Sequence, residues 1–431
     1  MKSETVSTKQ QRIAENARRL PGVSFSSLAY HIDMEWMREA YATTRKDGAT
    51  GVDGQTAEQY AESLEIKLEE LLCRAKSGTY RAPPVRRVYI PKGNGKGEVR
   101  PIGIPTIEDK VLQRAVKMVL DPLYEQEFLD CSYGFRPGRS AHGALSALRD
   151  AIMNAGNGWV LEVDIKKFFD TLKHHLLIDI VKHRVCDGVI IRLIGKWLSA
   201  GVQEQSQVRH PEEGTPQGGV ISPLLSNIYL HTVLDKWFEE EIKPRLLGVA
   251  TLIRYADDFV IVFRNRMDAE RTMAVLPKRF AKYGLSLHPD KTRLMPFGRP
   301  RKGQTGPGTF DFLGFTHYWG KTRAGGWTVN RKTAKTRLSR SVKRIHQWLR
   351  TNRHRPVKEQ WQQLCKKVRG HFNYFAITCN GRSVIAFREQ VRRSWCKWLS
   401  RRSNASSMIW EYFAKLEQRY PLPLPKIAYV S

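Results

Sequence analysis

Residues Arg254–Phe263 read Arg-Tyr-Ala-Asp-Asp-Phe-Val-Ile-Val-Phe, and they are the strongest local indication of the fold class. Two adjacent acids, Asp257 and Asp258, separate apolar runs that have the composition of β-strands. The stretch therefore predicts a β-hairpin that carries both carboxylates at the edge of a buried sheet. Such carboxylates are costly to bury unless a cation binds them. Since hard divalent cations prefer oxygen ligands, the hairpin predicts a metal site.

A third candidate ligand lies far upstream of the hairpin. Residues Trp159–Ile165 read as a half-buried strand that carries Asp164 near its end. Three carboxylates on two strands suit a site where two ions clamp both oxygens of an in-line phosphoryl displacement. The first hypothesis is therefore the palm of a nucleotide polymerase. The alternative for an isolated Asp-Asp pair is a solvated turn with Asx hydrogen bonding, and the surrounding motifs decide between the two.

An ordered series of motifs surrounds these acids. From about Gly48 to the C-terminus, the chain resembles the reverse transcriptase/maturases encoded by bacterial group II introns. Any one motif can arise by chance, but the full set in this order is specific. The resemblance rests on Gly51–Gly54, Arg100–Pro105, Ser132–Ser140, Asp164–Asp170, Gly214–Pro223, Tyr255–Asp258, Leu287–Thr292 and Phe310–Phe315.

The resemblance implies a fold class and a domain order. The expected fold is α+β, a right-hand polymerase followed by an all-helical thumb and maturase domain. We expect an N-terminal helical extension and the start of the fingers in residues 1–80, fingers and palm in residues 81–305, and thumb and maturase domain in residues 306–431.

Local patterns predict the individual elements of this order. Apolar spacing, Gly and Pro positions and strand-forming residues are the basis for each assignment. The predicted elements are helices over most of residues 1–80, a strand at Val85–Ile90, a hairpin tip at Lys92–Gly97, a helix at Ile107–Leu123 closed by Asp121-Pro122, a short strand hairpin after the loop Arg299–Gly308, a basic helix at Lys332–Arg350, and a second helix around Trp361–Val368.

The resemblance assigns the catalytic acids to three positions. Asp164 and Asp257 are expected to bridge two Mg²⁺ ions with help from the Ile165 backbone carbonyl. One ion would activate the primer 3′-hydroxyl, and the other would neutralise the leaving pyrophosphate. Asp258 is expected beside them, where it orients an ion or the primer end.

Basic residues are candidates for binding the incoming triphosphate. Arg100 suits bidentate contact and Lys92 suits point-charge contact with phosphate oxygens. Generic contact with an RNA backbone is the alternative for both side chains. Lys291 is expected near the β- and γ-phosphates, where it could protonate the leaving group. A plain surface lysine in a Pro-Asp-Lys turn is its alternative.

Two further positions are expected to contact the nucleotide or its template. The resemblance implies that an aromatic side chain at Phe169 closes against the sugar 2′-position and excludes ribonucleotides. Since alternation along a strand allows only one of Phe168 and Phe169 to face the site, the other is expected in the core. Gln217 is expected to touch the templating pair, because the glycines after it allow close backbone approach. Tyr255 is expected near the primer end or in the core.

Charge is the second strong feature of the sequence. The 431 residues carry a formal net charge of +30 at pH 7. Residues 301–431 hold 28 Lys and Arg but only 5 Asp and Glu, and the other residues hold 44 and 37. This concentration indicates a polyanionic partner. The expected RNA-binding residues are Arg337, Arg340, Lys343, Arg344, Lys366, Lys367 and Arg369.

Composition also excludes several classes of protein. No apolar run is long enough to span a bilayer, and residues 1–20 lack the apolar core of a secretion signal. The six cysteines form no Cys-x-x-Cys pair, which disfavours structural zinc and a disulfide framework. These features fit a reducing cytoplasm, with nucleoid association when DNA is the substrate. No Cys-pair or His-Asn-His array follows the thumb, so we expect a compact form without an endonuclease domain.

The sequence thus predicts an RNA-directed DNA polymerase that binds a structured group II intron RNA, assists its splicing and copies it into cDNA during retrohoming. Its expected partners are that RNA, a target DNA with a primer, and dNTPs, without a membrane and without an obligate protein partner. Two alternatives remain open. One is a related reverse transcriptase that serves defence or repair, and the other is a splicing-only RNA chaperone, against which the intact acids argue.

Overall fold

A computed structural model describes residues 5–91, 98–204, 207–209, 213–214, 218–300, 308–402 and 409–428. Two of the expected nucleotide-binding residues, Lys92 and Gln217, lie outside these described residues. The chain divides into two compact units. Unit 1 comprises the described residues within Met1–Lys92, Glu98–Ala144 and Trp159–Met295, and unit 2 comprises those within Leu145–Gly158 and Pro296–Ser431.

Helices account for most of the regular structure. The segment expected to be helical at the N-terminus is confirmed, since the first four helices lie there. The helices are α1 (Val6–Arg19), α2 (Met34–Thr43), α3 (Ala57–Ala61), α4 (Leu64–Ser77), α5 (Ile107–Tyr124), α6 (Ala141–Ala155), α7 (Phe168–Thr171), α8 (His174–Lys182), α9 (Gly188–Leu198), α10 (Ser222–Leu230), α11 (Arg266–Lys282), α12 (Lys335–Asn352), α13 (Val357–Phe375), α14 (Gly381–Ser400) and α15 (Trp410–Arg419).

The strands form three sheets, so the expected mixture of helices and sheets is confirmed. Their orders are β2-β1-β4-β5, β6-β7-β3-β8 and β11-β10-β9. The strands are β1 (Val85–Pro91), β2 (Val99–Ile104), β3 (Trp159–Asp164), β4 (Val202–Glu204), β5 (Gln207–Arg209), β6 (Ala250–Tyr255), β7 (Asp258–Phe263), β8 (Arg293–Pro296), β9 (Phe310–Phe312), β10 (Phe315–Lys321) and β11 (Trp327–Thr333).

The sheet β6-β7-β3-β8 is the centre of unit 1. Strands β6 and β7 are the arms of an antiparallel hairpin, which confirms the prediction from the Asp-Asp stretch. Strand β7 is also antiparallel to β3, with Trp159 opposite Phe263. Five of the six residues of β7 are buried, because helices cover the sheet and the strand lies between two others. A buried strand of this kind fixes the place of the acids at its end.

Helix α5 corrects one predicted boundary. It continues through Pro122 to Tyr124, so the expectation that Asp121-Pro122 closes the helix is wrong. Proline lacks the N–H that would bond to the carbonyl of residue 118. That carbonyl, on Met118, instead accepts a hydrogen bond of 3.1 Å from Gln10 Nε2 on α1. Because a neighbouring helix satisfies the acceptor, the proline does not end α5.

Unit 2 contains the sheet β11-β10-β9 and a group of helices. The basic helix begins at Lys335 rather than at Lys332, because Lys332 pairs with Thr316 in the β10–β11 ladder. One face of this helix is apolar, since Ile345 and Leu349 are buried in a core cluster. Other members of this cluster come from α13, α14 and α15, among them Leu364, Val368, Trp395 and Phe413. Among the described residues, no helix is long and apolar enough to cross a membrane.

Candidate active site

The turn between β6 and β7 brings the candidate acids to the end of β3. Asp164 is the last residue of β3 and lies opposite Asp258, the first residue of β7. Tyr255, the last residue of β6, also pairs with Asp258. Between them, Ala256 has a φ of +58°, a left-handed conformation that allows so tight a turn. The fold therefore places Asp257 at the tip of the hairpin, beside the end of β3.

A glycine makes the close packing of this turn possible. A Cβ atom on Gly134 would lie 2.4 Å from the backbone nitrogen of Ala256, which no real side chain tolerates. The Gly134 carbonyl accepts a hydrogen bond of 2.7 Å from Asn227 Nδ2. One residue earlier, the Tyr133 N–H donates to the Arg254 carbonyl at 2.9 Å. The first residues of the Ser132–Ser140 motif thus pack against the acidic turn and support it.

The buried side chain of Arg254 also supports this turn. The Arg254 side chain is fully buried, and its Nη1 donates to the Ala256 carbonyl at 3.1 Å. It is neutralised by Asp235, whose Oδ1 accepts from Arg254 Nε at 2.7 Å. Further hydrogen bonds link the guanidinium to Asn227 at 2.9 Å and to the Ser132 hydroxyl at 2.8 Å. Against the effect of burial, Arg254 lowers the pKa of Asp235 and keeps it ionised.

Electrostatics couple the two principal acids. Burial raises the pKa of Asp257, and repulsion from the Asp164 carboxylate raises it further. Arg100 on β2 and the buried Arg254 act in the opposite direction. The negative charge at Asp257 is therefore held at a cost in free energy, and a bound cation would remove that cost. Arg100 is exposed and close enough to influence this carboxylate.

Lys291 is an ion-pair partner of Asp164. Its Nζ lies 2.8 Å from Asp164 Oδ2, and the lysine side chain is 60% exposed. The segment before it is fixed to β3, because His288 N–H donates to the Asp164 carbonyl and Lys166 N–H donates to the Ser286 carbonyl, both at 2.8 Å. Successive carbonyls along a strand point to opposite sides. The intervening Ile165 carbonyl is therefore directed towards the β7 side, where the acidic turn lies.

The described acids do not by themselves form a complete set of ligands for a metal ion. Within the described part of the chain, no three His, Cys, Asp or Glu side chains are grouped so that they could hold a metal ion among themselves. Mg²⁺ differs from zinc or calcium here, because it is usually bound by one or two carboxylates with water and substrate phosphates completing its shell. Two mutually repelling carboxylates, with a backbone oxygen directed to the same side, are compatible with that mode of binding.

The aromatic pair after β3 lies in the short helix α7, so the reasoning from strand alternation is wrong. The outcome is nevertheless the expected division, since Phe168 is 2% exposed in the core and Phe169 is half-buried. Helical geometry separates them, because consecutive residues on a helix differ by about 100° in direction. Gly214, with a φ of +89°, packs against the carbonyl of Phe169. A Cβ atom on Gly214 would lie only 2.8 Å from that carbonyl oxygen.

The described residues that follow Gln217 pack closely against β2 and α5. A Cβ atom on Gly218 would lie 2.5 Å from the Gly103 carbonyl of β2. The buried Gln113 side chain on α5 accepts a hydrogen bond of 2.8 Å from the Val220 N–H. Its amide nitrogen donates in turn to Asp109 at 3.3 Å. Burial raises the pKa of Asp109 to about 6, while hydrogen bonds from Tyr80 and Trp197 lower it.

Sequence reasoning missed the role of Arg254. The signal was present in the alternation of β6, where Ala250, Leu252 and Arg254 occupy every second position. These positions face the core, and all three residues are buried. An arginine at a core-facing position requires a buried acid as a partner. That partner, Asp235, lies in the irregular helical segment after α10, which no short sequence pattern marks.

The expected RNA-binding residues are on two helices of unit 2. All lie on α12 or α13, and all are exposed except the half-buried Arg340. In the described part of unit 2, the ion pairs join Arg149 to Asp150, and Arg388, Arg392 and Arg393 to Glu389 and Glu417. The basic side chains of α12 and α13 take part in none of these pairs. Their positive charge therefore remains available to an external polyanion.

Comparisons with known proteins agree with the resemblance that the sequence motifs indicate. The family described as reverse transcriptase (RNA-dependent DNA polymerase) matches residues 90–317, just over half of the chain. Protein YkfC of Escherichia coli K12 is 36% identical over 294 residues, covering 60% of this chain and 76% of that protein. The group II intron-encoded protein LtrA of Lactococcus lactis is 39% identical over 231 residues, covering 53% of this chain and 37% of LtrA.

A more distant relative is the nuclear intron maturase 2, mitochondrial, of Arabidopsis thaliana. It is 27% identical over 232 residues, covering 44% of this chain and 30% of that protein. Matched regions thus span well under half the length of LtrA and of this maturase. These relatives confirm the resemblance to group II intron proteins that the ordered motifs indicated. The chain belongs to the reverse transcriptase (RNA-dependent DNA polymerase) family.

Proposed function

We propose that the protein is an RNA-directed DNA polymerase of right-hand architecture. Fingers and palm occupy residues 81–305, and thumb and maturase domain occupy residues 306–431. The observation that carries the proposal is the electrostatic coupling of Asp257 with Asp164 at the paired ends of β3 and β7. Two cationic side chains, Arg100 and Lys291, act on these same carboxylates. Family membership supports polymerisation of DNA on an RNA template.

In this proposal, Asp164, Asp257 and the Ile165 carbonyl would hold two Mg²⁺ ions. Reverse transcriptases generally use Mg²⁺, which lowers the pKa of the primer 3′-hydroxyl and stabilises the charge of the departing pyrophosphate. Asp258, opposite Asp164 and exposed, orients the primer end. Lys291, which is paired with Asp164 here, would donate its Nζ proton to the pyrophosphate oxygen as the bond from that oxygen to the α-phosphorus breaks.

The incoming nucleotide is held by residues around the acids. Arg100, which pairs with Ile90 in the β1–β2 ladder, binds its phosphates together with Lys92. Phe169 closes against the sugar 2′-position. It is the second residue of α7 and lies five residues after Asp164, the last residue of β3. Gln217 contacts the templating pair. The tight packing of Gly214 and Gly218 against α7 and β2 supports this role.

Primer extension tests the proposed polymerase. The purified protein is incubated with an RNA template, an annealed DNA primer, dNTPs and Mg²⁺, and products are separated on a denaturing gel. We expect template-dependent extension by deoxynucleotides that stops when EDTA removes the metal. Failure to extend any primer on RNA, with a folded protein and varied Mg²⁺, would overturn the proposal.

The ion pair between Lys291 and Asp164 gives a prediction about metal affinity. Removing the ammonium with Lys291→Met is expected to tighten Mn²⁺ binding by up to about fivefold, since a largely exposed pair contributes little free energy. Lys291→Arg keeps the pair and is expected to bind Mn²⁺ as the wild-type protein does. Titration followed by electron paramagnetic resonance measures both affinities. An unchanged affinity in Lys291→Met means that this lysine does not compete with the metal.

We also propose a second function, binding of a structured group II intron RNA to assist its splicing and to copy it. The observation that favours it is the unpaired basic surface of α12 and α13. Assistance here means that lysine and arginine side chains release counterions and lower the cost of compacting the RNA. The group II intron-encoded protein LtrA and the intron maturases are relatives, and retrohoming into a target DNA belongs to the same proposal.

Charge removal on α12 tests this second function. The triple change Arg337→Gln, Lys343→Gln and Arg344→Gln is expected to weaken binding of a group II intron RNA and to reduce the slope of log affinity against log salt by roughly 2–3. The matched control removes three exposed charges from α11 by Arg271→Gln, Lys278→Gln and Lys282→Gln. Equal losses in both triple variants would indicate a nonspecific charge effect and contradict a dedicated RNA surface.

A further inference from the structure

Phe135 has an unusual backbone conformation beside the acidic turn. Its φ is +59°, in the left-handed region that bulky side chains rarely adopt. The side chain is 56% exposed, so burial of the ring does not compensate for this conformation. Glycine would adopt the same backbone without steric cost. The requirements of folding therefore do not explain why phenylalanine occupies this position.

The residues on both sides of Phe135 are fixed in the interior. Gly134 is packed on Ala256 and accepts a hydrogen bond from Asn227. Arg136 is 7% exposed, and its guanidinium donates to Glu125, to the Leu129 carbonyl at 2.7 Å and to the Ser132 carbonyl at 2.9 Å. Strained residues persist only where their surroundings determine them in this way, and such residues cluster at functional sites. The fixed neighbours direct the Phe135 ring out of the protein.

The exposed ring lies next to the catalytic turn. Its centroid is 6.3 Å from that of Tyr255, with an angle of 42° between the two ring planes. Tyr255 immediately precedes the turn that carries Asp257. Exposure alone does not indicate a binding site, because single exposed apolar side chains are common. Tyr30, for example, is more exposed than Phe135, at 79%. Strain, rigid support and the position beside Tyr255 together distinguish Phe135.

We propose that Phe135 and Tyr255 form a stacking surface for one nucleobase of the RNA–DNA duplex next to Asp257. Every nucleobase has a π-face, so an aromatic surface binds it without regard to sequence. The strained backbone keeps the ring at a fixed position relative to Asp257, and base stacking therefore helps to place the primer end at the acids. This inference rests on the proposed polymerase function and adds a binding contact to it.

The experiment uses the full chain and an RNA template annealed to a DNA primer. 2-Aminopurine is placed in turn at each of the last primer positions and at their template partners, and its fluorescence reports stacking. We expect Phe135→Gly to weaken duplex affinity at least about fivefold and to abolish quenching at one position. Phe135→Trp should restore both, because it supplies another aromatic face. Tyr30→Ala is the matched control and should bind as the wild-type protein does.

Stability separates this contact from a structural role. Phe135→Gly relieves the left-handed strain, so its melting temperature is expected to stay constant or to rise by about 1 °C while duplex binding falls. Unchanged affinity and quenching in Phe135→Gly would overturn the inference even if the wild-type protein extends primers. Conversely, loss of quenching in that variant supports the inference even if the wild-type protein extends none, in which case only the polymerase proposal fails.

Discussion

Asp257→Asn is expected to reduce cDNA synthesis by at least about 10³-fold, more than the 10–100-fold typical for partners outside a metal's own ligands. Asparagine keeps the shape of the side chain but removes the negative charge that we propose binds the metal. Binding of a structured RNA is expected to stay within a few-fold of wild type, since the basic surface of α12 and α13 is untouched. Primer extension and filter binding on the same preparation measure the two activities.

The same variant has an expected effect on stability. Burial and the Asp164 carboxylate raise the pKa of Asp257 in the folded protein. A raised pKa means that the ionised form destabilises the fold once the pH exceeds the ordinary range for this group. Asp257→Asn removes that charge, so the melting temperature at pH 7 is expected to stay constant or to rise. Inactivity would then come from lost chemistry and not from unfolding.

Asp290→Asn is the matched control, because Asp290 is an exposed carboxylate in the segment that carries Lys291. It is expected to retain wild-type extension. Full polymerase activity in Asp257→Asn would remove this residue from the metal site, and parallel loss of RNA binding would contradict separate surfaces for the two functions.

Arg254→Met is expected to destabilise the protein by about 3–5 kcal/mol, because it leaves Asp235 charged and unpaired in the core. Both side chains are fully buried, with 0% of each exposed, so solvent screens their interaction little. Chemical denaturation of the two variants Arg254→Met and Asp235→Asn measures the effect. Exposed ion pairs contribute up to about 1 kcal/mol. If both variants lost less free energy of unfolding than that, the result would contradict an ion pair that is shielded from solvent.

The double variant Arg254→Met with Asp235→Leu separates support of the turn from support of the fold. Replacing both charges by apolar side chains is expected to recover much of the lost stability. Polymerase activity is expected to stay low, because the hydrogen bond from Arg254 to the Ala256 carbonyl is not restored. Recovery of activity together with stability would mean that the acidic turn holds its shape without this arginine.

Much of unit 1 could be predicted because its sheet follows a simple physical pattern. Alternating or continuous apolar runs identify β3, β6 and β7, and the adjacent acids identify the turn between β6 and β7. Ordered motifs then relate Asp164 to Asp257 although they lie far apart in the chain. Local pattern and family resemblance pointed to the same elements here.

The remaining features depend on contacts between distant segments. Pro122 stays inside α5 because Gln10 supplies the missing donor, and no local pattern contains that information. Lys332 joins a strand because it pairs with Thr316, although its own neighbourhood favours a helix. The backbone of Phe135 is determined by packing against Ala256 and Asn227 through Gly134, which the motif alone does not reveal. The proposed division at residue 305 stays a prediction.

The proposed polymerase depends above all on metal binding by Asp164 and Asp257. Mn²⁺ binding, followed by electron paramagnetic resonance, tests it most directly in a complex with an RNA template, a chain-terminated DNA primer and the next dNTP. We expect two bound ions for the wild-type protein and loss of binding in both Asp164→Asn and Asp257→Asn. Wild-type Mn²⁺ binding in both variants would contradict it.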